Sequence, residues 1–304
     1  MNLALVTCLS RAQYAVPGTD DEDDVLARAL RGCGHTVATP VWTDPAVDWH
    51  AYDAVVLKSP WDYFDRITEF YAWLDQLQQL GVALLNPLEI VRWNADKRYL
   101  RDVEAAGFRI VPTHWLTKGS SFEPAALFEK FRAEKLVVKP AVSGGAKNTF
   151  ALTLPEARSQ ADVIEKLVAE EDFLAQPFLP EIQAQGEWSL LYFNGQFSHS
   201  VLKTPKAGDF RVQLYFGADT ANVPAPAALR ATADQLVARF APGCLYARVD
   251  GVEVDGEFLL MELELIEPML FLAYEKAAAA RYEVALRQLA QSAQIPQTAT
   301  GRKA

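Results

Sequence analysis

Cysteine is scarce in this chain, three in 304 residues, and there are only four histidines. Cys8, Cys33 and Cys244 are odd in number and lack metal-ligand spacing. That excludes a disulfide framework and a Cys/His metal cage, and the three read as buried small hydrophobes of a reduced compartment. A thiol nucleophile at Cys8 has no histidine near it in sequence. No apolar run approaches a membrane span, and residues 1–6 lack the basic start of a signal peptide, so they read as a first strand. Positive charge is in deficit: the net charge is -10 and the pI about 5.0, which argues against nucleic acid or an anionic membrane as a partner. The first strand-to-helix turn, Leu9-Ser10-Arg11-Ala12, has no G-x-G-x-x-G, so a nicotinamide enzyme is disfavoured; a Walker A motif is also missing. No internal repeat is evident. What these absences leave is a soluble, cytoplasmic protein of ordinary globular composition, 50% hydrophobic and 22% charged, long enough for two or three subdomains.

The order of elements is informative. Strands over residues 3–8, 36–41, 54–58 and 82–85 alternate with helices over 25–31 and 67–80, the second stopped by Gly81. This β-α-β-β-α-β order predicts a small parallel α/β domain over residues 1–92. A helix over 93–106 carries Asp96-Lys97-Arg98. It opens a central α+β region, 93–178, with strands at 135–141 and 173–178 and helices at 124–132 and 161–170. A third region, 179–304, carries strand-like segments at 187–193, 196–201 and 210–216, a helix at 228–240, an acidic hairpin, a helix at 278–290 and a polar, frayed tail from 294.

That hairpin concentrates charge in an apolar setting. Residues 245–253 alternate, Val254-Asp255-Gly256 turns, and residues 257–265 return. Residues i and i+2 share a face, so Glu262 pairs in direction with Glu264, and Arg248 with Asp250. A two-residue Asp255-Gly256 loop in strict register sets Asp250 opposite Met261 and puts the acids on opposite faces. A three-residue loop with a G1 bulge sets Arg248 opposite Glu262 and gathers all four charges. Three acids and one arginine at that spacing suit a Mg²⁺–phosphate site, whereas a solvated hairpin face is the plain alternative. Like charges among Leu259, Leu260, Leu263 and Leu265 are costly unless a cation neutralises them.

Weaker signals precede it. Lys139 ends an apolar strand just before Pro140, and Ser143-Gly144-Gly145 follows as a flexible loop whose N–H groups can approach phosphate. Lys97 sits on a helix, where lysines ordinarily face solvent. In Gln176-Pro177-Phe178-Leu179-Pro180-Glu181, prolines stiffen a connection and Glu181 could accept from sugar hydroxyls.

Taken in order, these motifs resemble the ATP-grasp superfamily over residues 90–275. The resemblance implies an N-terminal parallel α/β domain followed by two α+β lobes that clamp ATP, and formation of an acyl phosphate from a carboxylate. By that resemblance Lys97 and Lys139 touch ATP phosphates and Ser143, Gly144 and Gly145 belong to the loop over the triphosphate. Gln176, Phe178 and Leu179 then form the adenine hinge, with Glu181 the ribose acid. Arg248, with Lys139, steadies the transferred phosphate, and Asp250, Glu262 and Glu264 hold Mg²⁺. The last ligand is commonly Asn in the superfamily; here it is Glu264, which adds negative charge.

Further segments occur in order: Lys58-Ser59-Pro60-Trp61-Asp62-Tyr63, Gly186-Glu187-Trp188-Ser189-Leu190, His199 to Pro205, Gly208-Asp209-Phe210-Arg211-Val212 and Glu262 to Pro268. Together they resemble the glutathione-synthetase-like branch, which includes O-ureido-D-serine cyclo-ligases of cycloserine biosynthesis. A small amino-acid-like substrate is implied. Ser59, Trp61, Asp62 and Tyr63 follow the third strand, at the strand ends where α/β sheets bind ligands, with Asp62 expected on a substrate ammonium. Lys203 and Arg211 are expected on its carboxylate; His199 reads as a satisfied strand histidine. Dipeptide ligation of the D-alanine–D-alanine kind and a catalytically idle ATP-binding protein remain alternatives. Ligases of this shape are often homodimers.

Overall fold

The computed structural model describes residues 1–14, 21–206, 211–212 and 217–295. It is built on three sheets. The first is parallel, ordered β2-β1-β3-β4, from β1 (Asn2–Thr7), β2 (Thr36–Ala38), β3 (Ala54–Ser59) and β4 (Ala83–Leu85). Its central strands are buried along their length, as strands covered on both faces must be. Helix α1 (Glu22–Gly32) packs on one face through Leu26 and Leu30, and α2 (Ile67–Leu80) on the other through Phe70, Trp73, Leu74 and Leu77. Asp21 caps α1, accepting from the Asp23 N–H at 2.9 Å; α2 stops at Gly81, whose φ is +66°. Cys33, expected inside, is exposed, because it lies past the end of α1 rather than on its apolar face. Cys8 and Cys244 are buried.

The single helix expected over 93–106 is two, α3 (Leu88–Asn94) and α4 (Tyr99–Ala105). Tertiary bonds break it. The Lys97 N–H donates to the Ala141 carbonyl at 2.9 Å, and the Asp96 side chain accepts from the Arg98 N–H at 2.8 Å. Lys97 therefore sits in the break and is buried.

The second sheet, ordered β5-β8-β6-β7, is antiparallel: β5 (His114–Leu116), β6 (Lys135–Pro140), β7 (Phe150–Thr153) and β8 (Phe173–Pro177). Helices α5 (Pro124–Phe131), α6 (Leu154–Ser159) and α7 (Ala161–Val168) share its core. After the short α8 (Glu181–Ala184) comes the third sheet, ordered β11-β10-β9-β12-β13: β9 (Glu187–Phe193), β10 (Gln196–Thr204), β11 (Asp219–Asn222), β12 (Tyr246–Val254) and β13 (Glu257–Glu264). One face carries α9 (Ala227–Phe240). The other meets α10 (Ala278–Ser292), which also packs on β1 and α1. The strand expected at 210–216 falls mostly outside the described residues. No described helix is long and apolar enough to cross a membrane.

Candidate active site

The acidic hairpin closes through the two-residue loop, yet its charges still gather. Val254 pairs with Glu257, and Asp255 and Gly256 both have positive φ, +54° and +80°. The register then shifts between Asp250 and Gly251, leaving Met261 unpaired, so Asp250 faces Glu262 and Arg248 faces Glu264. The pairing of Arg248 with Glu262 through a three-residue loop is thus replaced by a tight loop and a bulge. Gly251 makes the bulge possible: a Cβ there would lie 2.5 Å from the Leu259 carbonyl oxygen and from the Phe258 ring.

Strand β13 is a sheet edge, and its free backbone groups are taken up one by one. Leu260 donates to the Arg109 carbonyl at 3.0 Å and accepts from Val111 at 3.1 Å. Leu263 donates to the Tyr99 hydroxyl at 2.7 Å, and its carbonyl accepts from the Asn94 side chain at 2.7 Å. Leu265 donates to the Asn94 side-chain oxygen at 2.9 Å and accepts from Asn86 at 2.7 Å. Satisfying an edge this completely fixes where Glu262 and Glu264 stand.

Between the second and third sheets lies a cleft of about 290 Å³, with Trp61, Tyr63 and Phe64 of the first unit in its wall. Arg248, Asp250, Glu262 and Glu264 line it together with Lys97, Lys139 and Lys203. The guanidinium of Arg248 donates to Asp250 at 2.9–3.1 Å and to Glu264. Burial works against this charge, but Asp250 and Glu264 outweigh it and hold the arginine's pKa above its ordinary value. Asp250 also suffers burial, which Arg248 and Lys203 overcome, so its carboxyl stays below the usual range; the Ser189 hydroxyl donates to it as well. Burial likewise opposes Glu262, and Lys97 and Lys139 more than offset it. Glu264 is left over: burial, opposed by Arg248 and reinforced by Asp250 and Glu262, pushes it well above the carboxylate range.

Lys97 lies 3.3 Å from Glu262 and donates to the Ser143 carbonyl at 2.5 Å and hydroxyl at 3.2 Å. Burial lowers the pKa of Lys139; Glu262 opposes that and Lys97 adds to it. Lys203 reaches Glu187 at 2.5 Å and Asp250 at 3.6 Å. Ser143, Gly144, Gly145, Gln176, Phe178, Leu179 and Arg211 also line the cleft. The glycine loop is held, since Gly144 abuts Phe64, where a Cβ would lie 2.6 Å from the ring, and Lys147 pairs with Asp65.

Three expected site residues do not line it. Ser59 is fully buried, its hydroxyl donating to Asp23 and sharing a 2.9 Å hydrogen bond with the Thr7 hydroxyl. Asp62, expected on a substrate ammonium, accepts the Trp42 indole N–H at 2.6 Å because its short side chain points back into the first unit. Glu181 starts α8 beside the lining residues Leu179 and Ile182, and its Oε2 is buried without a hydrogen-bond partner. Two acids were missed. Glu187 opens the fully buried β9, and an acid heading an apolar strand was the available signal. Glu267 faces the cleft outside any regular element; burial, reinforced by Glu262, pushes it up to about 7.

The profile of prokaryotic glutathione synthetase ATP-grasp domains matches residues 110–271, and that of the N-terminal domain of D-cycloserine synthetase DcsG matches residues 3–86. The cycloserine biosynthesis protein DcsG of Streptomyces lavendulae is 31% identical over 279 residues, 86% of this chain and 92% of that one. The chain belongs to the ATP-grasp ligases. The crystal structure of D-cycloserine synthetase DcsG superposes on this ligase with a TM-score of 0.82 at 30% identity, over 95% of this chain and 100% of that one. D-alanine–D-alanine ligase of Bacillus anthracis shares the fold, with a TM-score of 0.65 at 15% identity over 97% of each chain.

ATP-grasp ligases bind ATP, and the cleft suits it. Lys139 is a half-buried cation whose desolvation outweighs the pull of Glu262 and Glu187, and Glu181 offers an unpaired carboxylate oxygen. Hard oxygens at Asp250, Glu262 and Glu264 suit Mg²⁺. Among the described residues, however, no three His, Cys, Asp or Glu groups are drawn together as a ligand set. The reason is visible in the pairing, since Arg248 holds Asp250 and Glu264 while Lys97 holds Glu262.

Proposed function

We propose that this ligase activates the carboxylate of a small amino-acid-like substrate as an acyl phosphate and closes it into a ring, as in making D-cycloserine from O-ureido-D-serine. The observation that carries the reading is the convergence of Lys97, Lys139 and Arg248 with Glu262 and Glu264 in one cleft. Phosphoryl transfer requires positioning and charge neutralisation more than covalent help from the protein. Lys97 and Lys139 bind the phosphates, Gln176, Phe178 and Leu179 hold the adenine, and Glu181 takes the ribose. Asp250, Glu262 and Glu264 would hold Mg²⁺, which when bound would neutralise charge on the phosphates. Arg248 steadies the phosphoryl group on its way to the substrate carboxylate. Lys203 and Arg211 hold the substrate, Trp61 and Tyr63 wall it, and the Gly144-Gly145 loop excludes water from the acyl phosphate. Attack by the substrate's own oxygen-bound nitrogen then forms the ring C–N bond and expels phosphate; for O-ureido-D-serine, hydrolysis of the carbamoyl group from that nitrogen, as carbon dioxide and ammonia, completes D-cycloserine. The site lies within one chain, in the cytoplasm.

The test is ADP and phosphate release with Mg²⁺-ATP across D- and L-amino acids, dipeptides and O-ureido-D-serine, with hydroxylamine present to trap acyl phosphate. A cyclic product from O-ureido-D-serine is expected, and loss of all turnover in Glu262→Ala with an unchanged melting temperature. ADP with a linear dipeptide would instead make it a peptide-type ligase. Nucleotide binding with no product on any carboxylate would sink the reading.

A further inference from the structure

Glu22 opens helix α1 in the first unit and does not line the cleft, yet its carboxylate reaches into the third unit. One oxygen accepts from the buried Lys58 ammonium at 2.9 Å and from the Leu270 N–H at 2.7 Å; the other accepts from the Leu272 N–H at 3.0 Å. Between those N–H groups stands Phe271, a non-glycine residue at φ +52°. A left-handed phenylalanine persists only where its neighbours are pinned. Here both are pinned by one carboxylate, and the Leu270 carbonyl accepts from His199 at 3.0 Å.

The same turn holds Arg248. The Met269 carbonyl accepts from the arginine Nη1 at 3.0 Å, and the Phe271 ring lies 5.7 Å from its guanidinium carbon. These contacts act on the side away from Asp250 and Glu264. Without them the two acids alone would set where the guanidinium points.

We propose that Glu22 is a positioning residue for phosphoryl transfer, aiming Arg248 through the 269–272 turn. Charge-assisted bonds to backbone N–H groups are the strong kind, and a reactive group placed by supporting contacts loses rate when it drifts by an ångström. Lys58, which also lies 3.4 Å from Asp23, neutralises the carboxylate inside the fold. The proposal rests on Arg248 acting at the transferred phosphate.

A double-mutant cycle tests it with four proteins: the natural chain, Glu22→Gln, Arg248→Lys and both together. Each is titrated with Mg²⁺ and ADP, and with Mg²⁺, ADP and aluminium fluoride, whose fluoride complex imitates the phosphoryl group in flight. Glu22→Gln is expected to weaken the fluoride complex about tenfold while binding ADP alone within twofold, and to add less than twofold to Arg248→Lys. An equal penalty in both backgrounds, or an equal loss for ADP alone, shows a merely structural role and overturns the proposal. So does a natural protein that gains no affinity from fluoride. If Glu22→Gln fails to fold, Glu22→Gln with Lys58→Met removes both buried charges and replaces it in the cycle. Turnover is followed separately: no product from any carboxylate defeats the ligase reading, while the fluoride cycle still decides the role of Glu22.

Discussion

Glu267 carries a carboxyl pushed up to about 7 within the cleft, and that couples proton uptake to folding. In the unfolded chain a glutamate titrates near 4.3. Between those values the folded state holds the extra proton, so the stability linked to it is fully present below about pH 4, falls as pH rises through 7, and is gone above. Glu267→Gln, which keeps the shape and removes the charge, is therefore expected to melt about 2–4 °C higher than the natural protein at pH 8, roughly a kcal/mol. At pH 4 the two should melt together; a gap that persists there would show that packing, not the proton, separates them. Sequence spacing could not rank Asp62 against Glu267. Both follow strands by three residues, and only the packed positions of Trp42 and Trp61 decide which acid faces the cleft. The Trp42 indole takes Asp62, while the Trp61 indole donates to the Glu267 backbone carbonyl at 3.1 Å.

Among the elements, the β12–β13 pair shows what period-2 alternation can and cannot convey. Its strands, and the shared faces of Arg248 with Asp250 and of Glu262 with Glu264, were legible, because side chains alternate along a strand. The gathering of all four was expected from a three-residue loop and comes instead from the tight Asp255-Gly256 turn with a bulge. The bulge at Met261 was not, because it depends on Arg109 and Val111 binding Leu260 and on Asn94 and Tyr99 binding Leu263 and Leu265. Likewise nothing local announces the break at Lys97; its cause is a carbonyl 44 residues away in sequence, at Ala141. The bulge leaves Gly251 no room for a side chain. Gly251→Ala should cost about 2–4 kcal/mol, read as a lower urea midpoint at unchanged m-value, and should disable Asp250 along with it. A variant of native stability and turnover would mean that the two strands slide past the obstacle.

At the scale of the whole molecule, the glycine loop of the second sheet and the 63–66 turn of the first unit meet across the mouth of the cleft, through Gly144 against Phe64 and Lys147 against Asp65. Both charges of that pair are about half exposed, at 51% and 42%, so it contributes under about 1 kcal/mol. Asp65→Asn is thus expected to leave the melting temperature within about 2 °C while hastening protease cleavage in the loop and ADP release. Unchanged cleavage and release would confine the closure to Phe64 and Gly144.

Helix α10 covers the first sheet as well as the third, laying Tyr282, Leu286 and Ala290 against a core that holds Leu3, Leu5 and Leu30. Synthesis runs in the opposite sense to that packing. Although α1 covers part of that face soon after β1 is made, α10 follows only about 240 residues after α1, and a nascent chain halted before residue 278 leaves the rest of the β1–α1 core open to chaperones.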